Sequence, residues 1–203
     1  MEKIADSKTN TYTLIEFQAK YGTENDCEQA LFHLKWPEGF QCPKCGSRHF
    51  IQVRRHRLPL YQCSQCRCQT TSTVGTVFEN SKLPLVKWFL ALYFMAVNKD
   101  GLSGAALARY IGVTLKTAWT LLHKIRSAMG ERENIYKLGG SVEMDEAFFG
   151  GKAEGKRGRG SENKTQAAVA LQLDSCGHPQ YLKMQVIPDA KRGNSAVFCR
   201  KEH

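Results

Sequence analysis

The sequence lacks any apolar run long enough to cross a membrane. Its most apolar stretch, PLVKWFLALYFMAV, covers only the fourteen residues from Pro84 to Val97 and includes Lys87. A membrane-spanning helix needs about 20 predominantly apolar residues, so this stretch predicts a buried helix of a soluble protein. The N-terminal segment MEKIADSKTN is polar and lacks the apolar core of a signal peptide. We therefore expect a cytoplasmic protein that makes no membrane contact.

Acidic residues are also scarce, at 19 against 29 lysines and arginines, which gives a formal net charge of +10 and a pI of about 9.3. No acid lies between Glu38 and Glu79, although the same segment holds Lys44, Arg48, Arg54, Arg55, Arg57 and Arg67. Such an imbalance indicates a polyanionic partner, and without a membrane that partner is nucleic acid. An ordinary solvated basic surface is the alternative.

Eight cysteines are present, and four of them form two CxxC pairs separated by the seventeen residues from Gly46 to Gln62. Disulfides would suit an exported chain, but an export signal is missing. The separation allows a hairpin between two turns that aim their thiolates at one ion. The spacing predicts a zinc ribbon in which a structural Zn²⁺ is bound by Cys42, Cys45, Cys63 and Cys66. The competing ligands, which CxxC geometry disfavours, are Cys68, His49 and His56.

Residues 102–119, LSGAALARYIGVTLKTAW, have the order of a helix-turn-helix. Ser103 caps the first predicted helix, Gly112 makes the turn, and Thr114 caps the second helix. The inward face of the second helix is predicted to hold Ala118, Leu122, Ile125 and Met129. The outward residues are then Leu115, Lys116, Trp119, Thr120 and Lys124. This end of a recognition helix reads base edges, so we expect DNA binding by Lys116, Trp119, Thr120 and Lys124. A helical hairpin without DNA contacts is the alternative.

Three strand-like runs follow the glycine pair at 139–140, covering residues 141–149, 165–173 and 180–187. The first run carries adjacent acids, Asp145 and Glu146, whose side chains point to opposite faces of a sheet. The loop between the first two runs is rich in basic residues: Lys152, Lys156, Arg157, Arg159 and Lys164. Beside Asp145, this loop suits an electrostatic clamp on the DNA backbone. An ordinary hairpin loop is the alternative.

Several motifs, taken in order, resemble one protein family. They are WPEGFQCPKC at 36–45, the second CxxC pair, KTAWTLLHKIR at 116–126, VEMDE at 142–146 and GGK at 150–152. Together they resemble bacterial insertion-sequence transposases with an N-terminal zinc ribbon and an RNase H-like, DDE-type catalytic domain. The resemblance implies DNA strand cleavage and joining by three carboxylates that hold two Mg²⁺ ions, with Asp145 as the first. It also implies that the DNA partner is the terminal inverted repeats of the element.

The later catalytic carboxylates are not apparent in this sequence. Two-metal catalysis needs several carboxylates around ions about 4 Å apart. If Asp145 lies opposite Val169, then Asp174 is five residues further along that strand, roughly 16 Å away. Asp189 and Glu202 are no better placed. We therefore expect a truncated or decayed transposase that binds zinc and DNA but lacks a complete active site. A non-catalytic DNA-binding regulator built from the zinc ribbon and the helix-turn-helix is the alternative.

These patterns predict a multi-domain α+β protein. We expect a helical segment at 1–36, the zinc ribbon at 37–78, the helix-turn-helix unit at 79–138 and an incomplete, three-strand RNase H-like domain at 139–203. The expected cofactors are a structural Zn²⁺ and, in a complete domain, catalytic Mg²⁺. The expected partner is duplex DNA, and a second copy of the chain is a further candidate.

Overall fold

The computed structural model describes residues 12–53, 58–98, 100–133, 137–150 and 164–187. Within these ranges, five helices and two antiparallel sheets of three strands each divide between two units, residues 1–129 and residues 130–203. This confirms the predicted mixed α+β class. None of the described helices is both long enough and apolar enough to span a membrane.

Two short helices begin the described chain, α1 at Leu14–Tyr21 and α2 at Glu24–Lys35. Each starts with a capping box. The Thr13 hydroxyl accepts the N–H of Glu16 at 3.3 Å, and the Thr23 hydroxyl accepts the N–H of Asp26 at 3.2 Å. The two carboxylates accept the threonine N–H groups in return. These bonds satisfy donors that the first turn of a helix otherwise leaves without partners.

The cysteine-rich segment forms a small sheet of β1 (Phe50–Val53), β2 (Leu60–Cys63) and β3 (Gln69–Thr70), paired in that order. Its buried core contains Trp36, Phe40 and Tyr61 together with Cys42 and Cys63. Helix α2 packs on this core through Phe32. The Tyr61 hydroxyl also donates a hydrogen bond of 2.5 Å to the buried carboxylate of Glu28 on α2. The ribbon is therefore joined to the helical part of the same unit.

Three helices follow the ribbon: α3 at Leu85–Val97, α4 at Gly104–Ile111 and α5 at Leu115–Glu133, which begins in the first unit and ends just beyond it. Helix α3 is the predicted apolar helix, and its Trp88 is 2% exposed. Trp88 packs in one cluster with Leu107 and Ile111 of α4 and with Ala118, Leu122 and Ile125 of α5. Three helices thus share one apolar core, which fixes the orientation of α5.

The inward face of α5 differs from the prediction at two positions. Met129 was expected inside but is 55% exposed, whereas Leu121 is 3% exposed although the pattern did not single it out. Side chains of both α3 and α4 belong to the cluster, so the buried face of α5 is wide enough to include Leu121. Met129 lies one turn beyond Ile125, the last buried α5 residue of the cluster, and is therefore uncovered.

The second unit contains a sheet of β4 (Ser141–Phe149), β5 (Thr165–Leu173) and β6 (Pro179–Val186), joined as consecutive antiparallel neighbours. The first two strands have the predicted bounds, and β6 is shifted by one residue toward the N-terminus. Asp145 pairs with Val169 and Phe149 with Thr165, as predicted from the hairpin. Ala167, Ala168 and Ala170 of the central strand are buried.

Candidate metal centre and nucleic-acid interface

The four CxxC cysteines come together in the ribbon. The sulfur atoms of Cys42, Cys45, Cys63 and Cys66 all lie within 4.8 Å of one another, and the distances from Cys42 to Cys66 and from Cys45 to Cys63 are 3.5 Å. Tetrahedral thiolates bound to zinc at about 2.3 Å are separated by about 3.8 Å. The donor set and its size therefore fit a structural zinc ion.

Backbone turns bring these sulfurs together. The N–H of Gly46 donates to the carbonyl of Cys42 at 2.9 Å, and the N–H of Arg67 donates to the carbonyl of Cys63 at 3.1 Å. Both Gly46 and Arg67 have positive φ, at 72° and 56°. Each CxxC segment thus curls tightly enough for its two sulfurs to face the other pair.

The turns also favour the thiolate form that a metal requires. Burial opposes ionisation of Cys42, but the N–H groups of Cys45 and Lys44 and the neighbouring sulfurs outweigh it and lower its pKa to about 6. The backbone N–H of Cys66 similarly lowers the pKa of Cys63. For Cys45, the backbone N–H of Ser47 acts in the same direction, but the sulfurs of Cys66, Cys63 and Cys42 outweigh it and raise the pKa of this thiol to about 12. Two of the thiols are thus favoured as thiolates, whereas ionisation of Cys45 calls for a cation that offsets the charge of its neighbours.

The two alternative zinc ligands that the structure describes, Cys68 and His49, do not belong to the four-sulfur group. Cys68 packs against the ribbon core, and its carbonyl accepts the N–H of Cys63 at 2.9 Å, but its sulfur is not part of the four-sulfur group. Burial raises the pKa of Cys68, which disfavours a thiolate there. His49 is exposed and also lies outside the group. His56 falls outside the described residues.

The basic surface of the ribbon is described only in part. Lys44, Arg48 and Arg67 are exposed, and the Arg48 guanidinium contacts the carboxylate of Glu38 at 3.1 Å. Arg54, Arg55 and Arg57 lie outside the described residues. An exposed ion pair is weak, so Arg48 remains accessible to a polyanion.

The helix-turn-helix has the predicted caps. The Ser103 hydroxyl accepts the N–H of Ala106 at 3.1 Å, and the Thr114 hydroxyl accepts the N–H of Thr117 at 3.2 Å. Gly112 ends α4 with φ 61° and ψ 57°, in the left-handed region. The Lys87 ammonium group donates to the Gly112 carbonyl at 2.8 Å. The angle between α4 and α5 is thereby set by a turn with its polar groups satisfied.

Helix α5 presents two parallel exposed stripes. The aromatic stripe, with four-residue spacing, consists of Leu115, Trp119 and His123. The basic stripe, with the same spacing, consists of Lys116, Thr120 and Lys124. Leu115 and Trp119 are 58% and 60% exposed. All of the predicted DNA-binding residues of α5 are therefore accessible on one side of the helix.

Local contacts orient both stripes. A Cβ atom on Gly104 would lie 3.2 Å from Cδ1 of Trp119, so the glycine lets the indole lie against the start of α4. The His123 and Trp119 rings are in contact, with centroids 4.0 Å apart. The basic stripe borders a groove of about 250 Å³, which Ser81, Leu83 and Trp88 line on the other side. The sequence prediction missed His123 and this side of the groove. His123 could have been found from the sequence, because it continues the four-residue spacing of Leu115 and Trp119. The residues on the other side of the groove could not, because tertiary packing brings them next to α5.

Asp145 is exposed on β4, and its carboxylate accepts the N–H of Glu146 at 2.7 Å. Glu146 is half-buried on the opposite face, where its carboxylate accepts a hydrogen bond from the Gln166 side chain at 3.2 Å. Among the described residues, Asp145 does not belong to any group of three metal-ligating side chains. In the basic loop, the predicted Lys152, Lys156, Arg157 and Arg159 lie outside the described residues.

Two regions of the chain match models of known protein families. Residues 22–69 match the model of the transposase zinc-ribbon domain, and residues 137–201 match that of the ISXO2-like transposase domain. Both regions are therefore similar to domains of insertion-sequence transposases. The first match contains the four-sulfur group, and the second contains Asp145.

A relative of the chain is a protein of a mobile element. The chain is 29% identical over 175 residues to an uncharacterized protein in transposable element ISH50 of Halobacterium salinarum. The match covers 84% of this chain but only 56% of that protein. The chain thus spans about half the length of the relative. No solved structure matches it.

Proposed function

We propose that this chain is an insertion-sequence transposase that binds duplex DNA at the terminal repeats of its element through α5, and that Asp145 contributes one carboxylate to metal-dependent strand cleavage and transfer. The observation that carries the proposal is the position of the exposed α5 stripes between two transposase-domain matches. The division into a helical segment, a zinc ribbon, a helix-turn-helix and an RNase H-like domain is part of the same proposal.

The two stripes of α5 suit different parts of DNA. Lys116 and Lys124 are two turns apart on one side, so they can contact phosphates, with Thr120 between them as a neutral hydrogen-bonding group. The adjacent Trp119 offers an apolar surface of fixed orientation, of the kind that contacts thymine methyl groups in the major groove. The basic stripe therefore contributes affinity and the aromatic stripe contributes sequence preference.

Matched lysine substitutions test the phosphate contacts. Each lost phosphate contact lowers the slope of log affinity against log salt by about 1. We expect Lys116→Ala with Lys124→Ala to lower the slope by about 2 on any duplex, measured by fluorescence anisotropy. Lys20→Ala removes the same kind of charge from α1 and should change the slope little. Equal slopes for the α5 variant and the wild type would refute the assignment.

We propose that zinc is bound by four thiolates, those of Cys42, Cys45, Cys63 and Cys66. A bound Zn²⁺ would supply a structural cross-link between the two CxxC turns. The ribbon has only a small aromatic core, so its folding should depend on that cross-link. Since α2 packs on the ribbon, the metal also supports the helical part of the unit.

The basic loop is proposed as a clamp on the DNA backbone beside Asp145. Its lysines and arginines lie between β4 and β5, and Asp145 is four residues before the end of β4. Neutralising Lys156, Arg157 and Arg159 together should flatten the salt dependence of binding. An unchanged salt slope would contradict the clamp.

A two-metal site needs several carboxylates, and Asp145 would be one of them. Mg²⁺ would stabilise the charge that develops on the reacting phosphate. Asp145 is accessible for such an ion, but Asp174 lies beyond the end of β5, roughly 16 Å along the strand from Val169, which pairs with Asp145. Among the described residues, no other carboxylates form a metal-binding group with Asp145, and we infer that the chain by itself is not competent for strand cleavage.

A nicking assay tests that inference. The purified chain is incubated with Mg²⁺ or Mn²⁺ and a labelled duplex that carries the terminal repeats. We expect binding without cleavage. Strand nicking that disappears in Asp145→Ala would contradict the inference and would show that the chain does hold the missing carboxylates.

A further inference from the structure

The hairpin turn between β5 and β6 holds three side chains of different metal-binding chemistry. They are Asp174, Cys176 and His178, which alternate along the segment Asp174-Ser-Cys-Gly-His178. A carboxylate oxygen, the thiol sulfur and an imidazole nitrogen all lie within 4.8 Å of one another. This group belongs to the second unit, whereas the cysteine ribbon belongs to the first.

Backbone hydrogen bonds hold the three donors in place. Oδ1 of Asp174 accepts the N–H groups of Cys176 and His178, each at 2.8 Å. The N–H of Asp174 donates to the carbonyl of His178 at 3.0 Å, which closes the turn. Gly177 has φ 83°, a conformation that suits glycine. The donors are thus preorganised on a short, closed loop.

The conformation of the turn explains why Asp174 is present but not why Cys176 and His178 are. A tight hairpin calls for Asp at the position that accepts the N–H groups and for Gly at the positive φ. It makes no demand for a thiol or an imidazole. Cys176 and His178 are both exposed, and Nδ1 of His178 lies 3.4 Å from Oδ2 of Asp174, the oxygen that the turn does not use. A cation between these groups would engage all three donors.

We propose that this turn is a second metal site, which binds a divalent transition ion of the zinc class. Zinc takes sulfur, nitrogen and oxygen donors in one tetrahedral set, and three protein ligands leave one position for water or another ligand. The site is distinct from the Asp145 position, because Asp174 lies roughly 16 Å along β5 from the residue that pairs with Asp145. Two of the ligands are exposed, so the ion exchanges more readily than one in the ribbon.

Metal stoichiometry tests the proposal on the full chain under reducing conditions. Equilibrium dialysis against Zn²⁺ should give two bound ions per chain, one of which a mild chelator removes. Asp174→Asn retains an oxygen that can accept the turn N–H groups but loses the anionic ligand, and Cys176→Ser and His178→Gln each remove one further donor. Each variant should bind one ion fewer. His33→Gln, which removes an exposed imidazole from α2, should still bind two.

Co²⁺ provides a second readout. When the wild-type chain is titrated with Co²⁺, the thiolate-to-cobalt charge-transfer absorption should continue to increase while the second equivalent of Co²⁺ is added. In Cys176→Ser, the absorption should stop increasing after the first equivalent of Co²⁺. Binding of a single ion by the wild-type chain would overturn the proposal. So would a second ion that persists in both Cys176→Ser and His178→Gln.

Discussion

Substitution of Gly112 by alanine isolates the turn that orients α5. The residue has φ 61°, and a Cβ atom added there would meet nothing within 4 Å. The cost is therefore conformational and not steric. A left-handed conformation costs a residue with a Cβ about 1–2 kcal/mol, and the reduced entropy of the unfolded chain offsets this by about 0.4–1 kcal/mol. We expect Gly112→Ala to lower the free energy of unfolding by about 1 kcal/mol.

Urea denaturation of the zinc-bound chain, followed by circular dichroism of the helices, measures this change. Gly130→Ala is the matched control, because Gly130 lies in α5 without a positive φ or a close neighbour. There, the better helix propensity of alanine should stabilise by up to about 1 kcal/mol. Gly112→Asn should cost less than Gly112→Ala, since asparagine tolerates the left-handed region. A neutral or stabilising Gly112→Ala would refute the reasoning.

Three further outcomes are expected. The double variant Cys42→Ser, Cys63→Ser should lose its ribbon zinc and unfold the ribbon, and zinc retained there by atomic absorption would contradict the ligand assignment. Burial, with a smaller contribution from nearby carboxylates, raises the pKa of Cys27 to about 12. The neutral, buried thiol therefore stabilises the folded chain fully below the pKa of about 9 that the thiol has in the unfolded chain, and this stabilisation is lost as the pH rises toward 12. Iodoacetamide at pH 8.5 should therefore modify Cys27 only in the unfolded chain, and rapid modification of the native chain would oppose this. Tyr61→Phe should cost about 1.5–3 kcal/mol by removing the hydrogen bond to the buried Glu28 carboxylate, and a double-mutant cycle with Glu28→Gln that shows no coupling would argue against that bond.

Local signals in the sequence were sufficient for much of the fold. Thr13 and Thr23 begin helices because their side chains and the acids three residues later satisfy each other's neighbouring N–H groups, and this depends on sequence spacing alone. The strand register was also predictable. Once Phe149 pairs with Thr165, antiparallel geometry fixes Asp145 opposite Val169.

Features that join distant parts of the chain were not predictable. The bond between Glu28 and Tyr61 links residues 33 positions apart, and a buried glutamate on a helix has no distinctive sequence pattern. The burial of Leu121 and the exposure of Met129 depend on where α3 and α4 end against α5. The roles of Asp145 and of the α5 residues in DNA chemistry remain predictions, because exposure shows access but not a bound partner.

Binding preference for the element's own ends tests the central claim most directly. Fluorescence anisotropy at physiological salt would compare the full, zinc-bound chain on a duplex of terminal repeats and on a shuffled duplex of the same composition. We predict tighter binding to the repeats by on the order of 10³-fold or more, with most of the preference lost in Trp119→Ala and retained in Lys20→Ala. Equal affinity for the two duplexes, or a preference unchanged by the α5 substitution, would contradict the account.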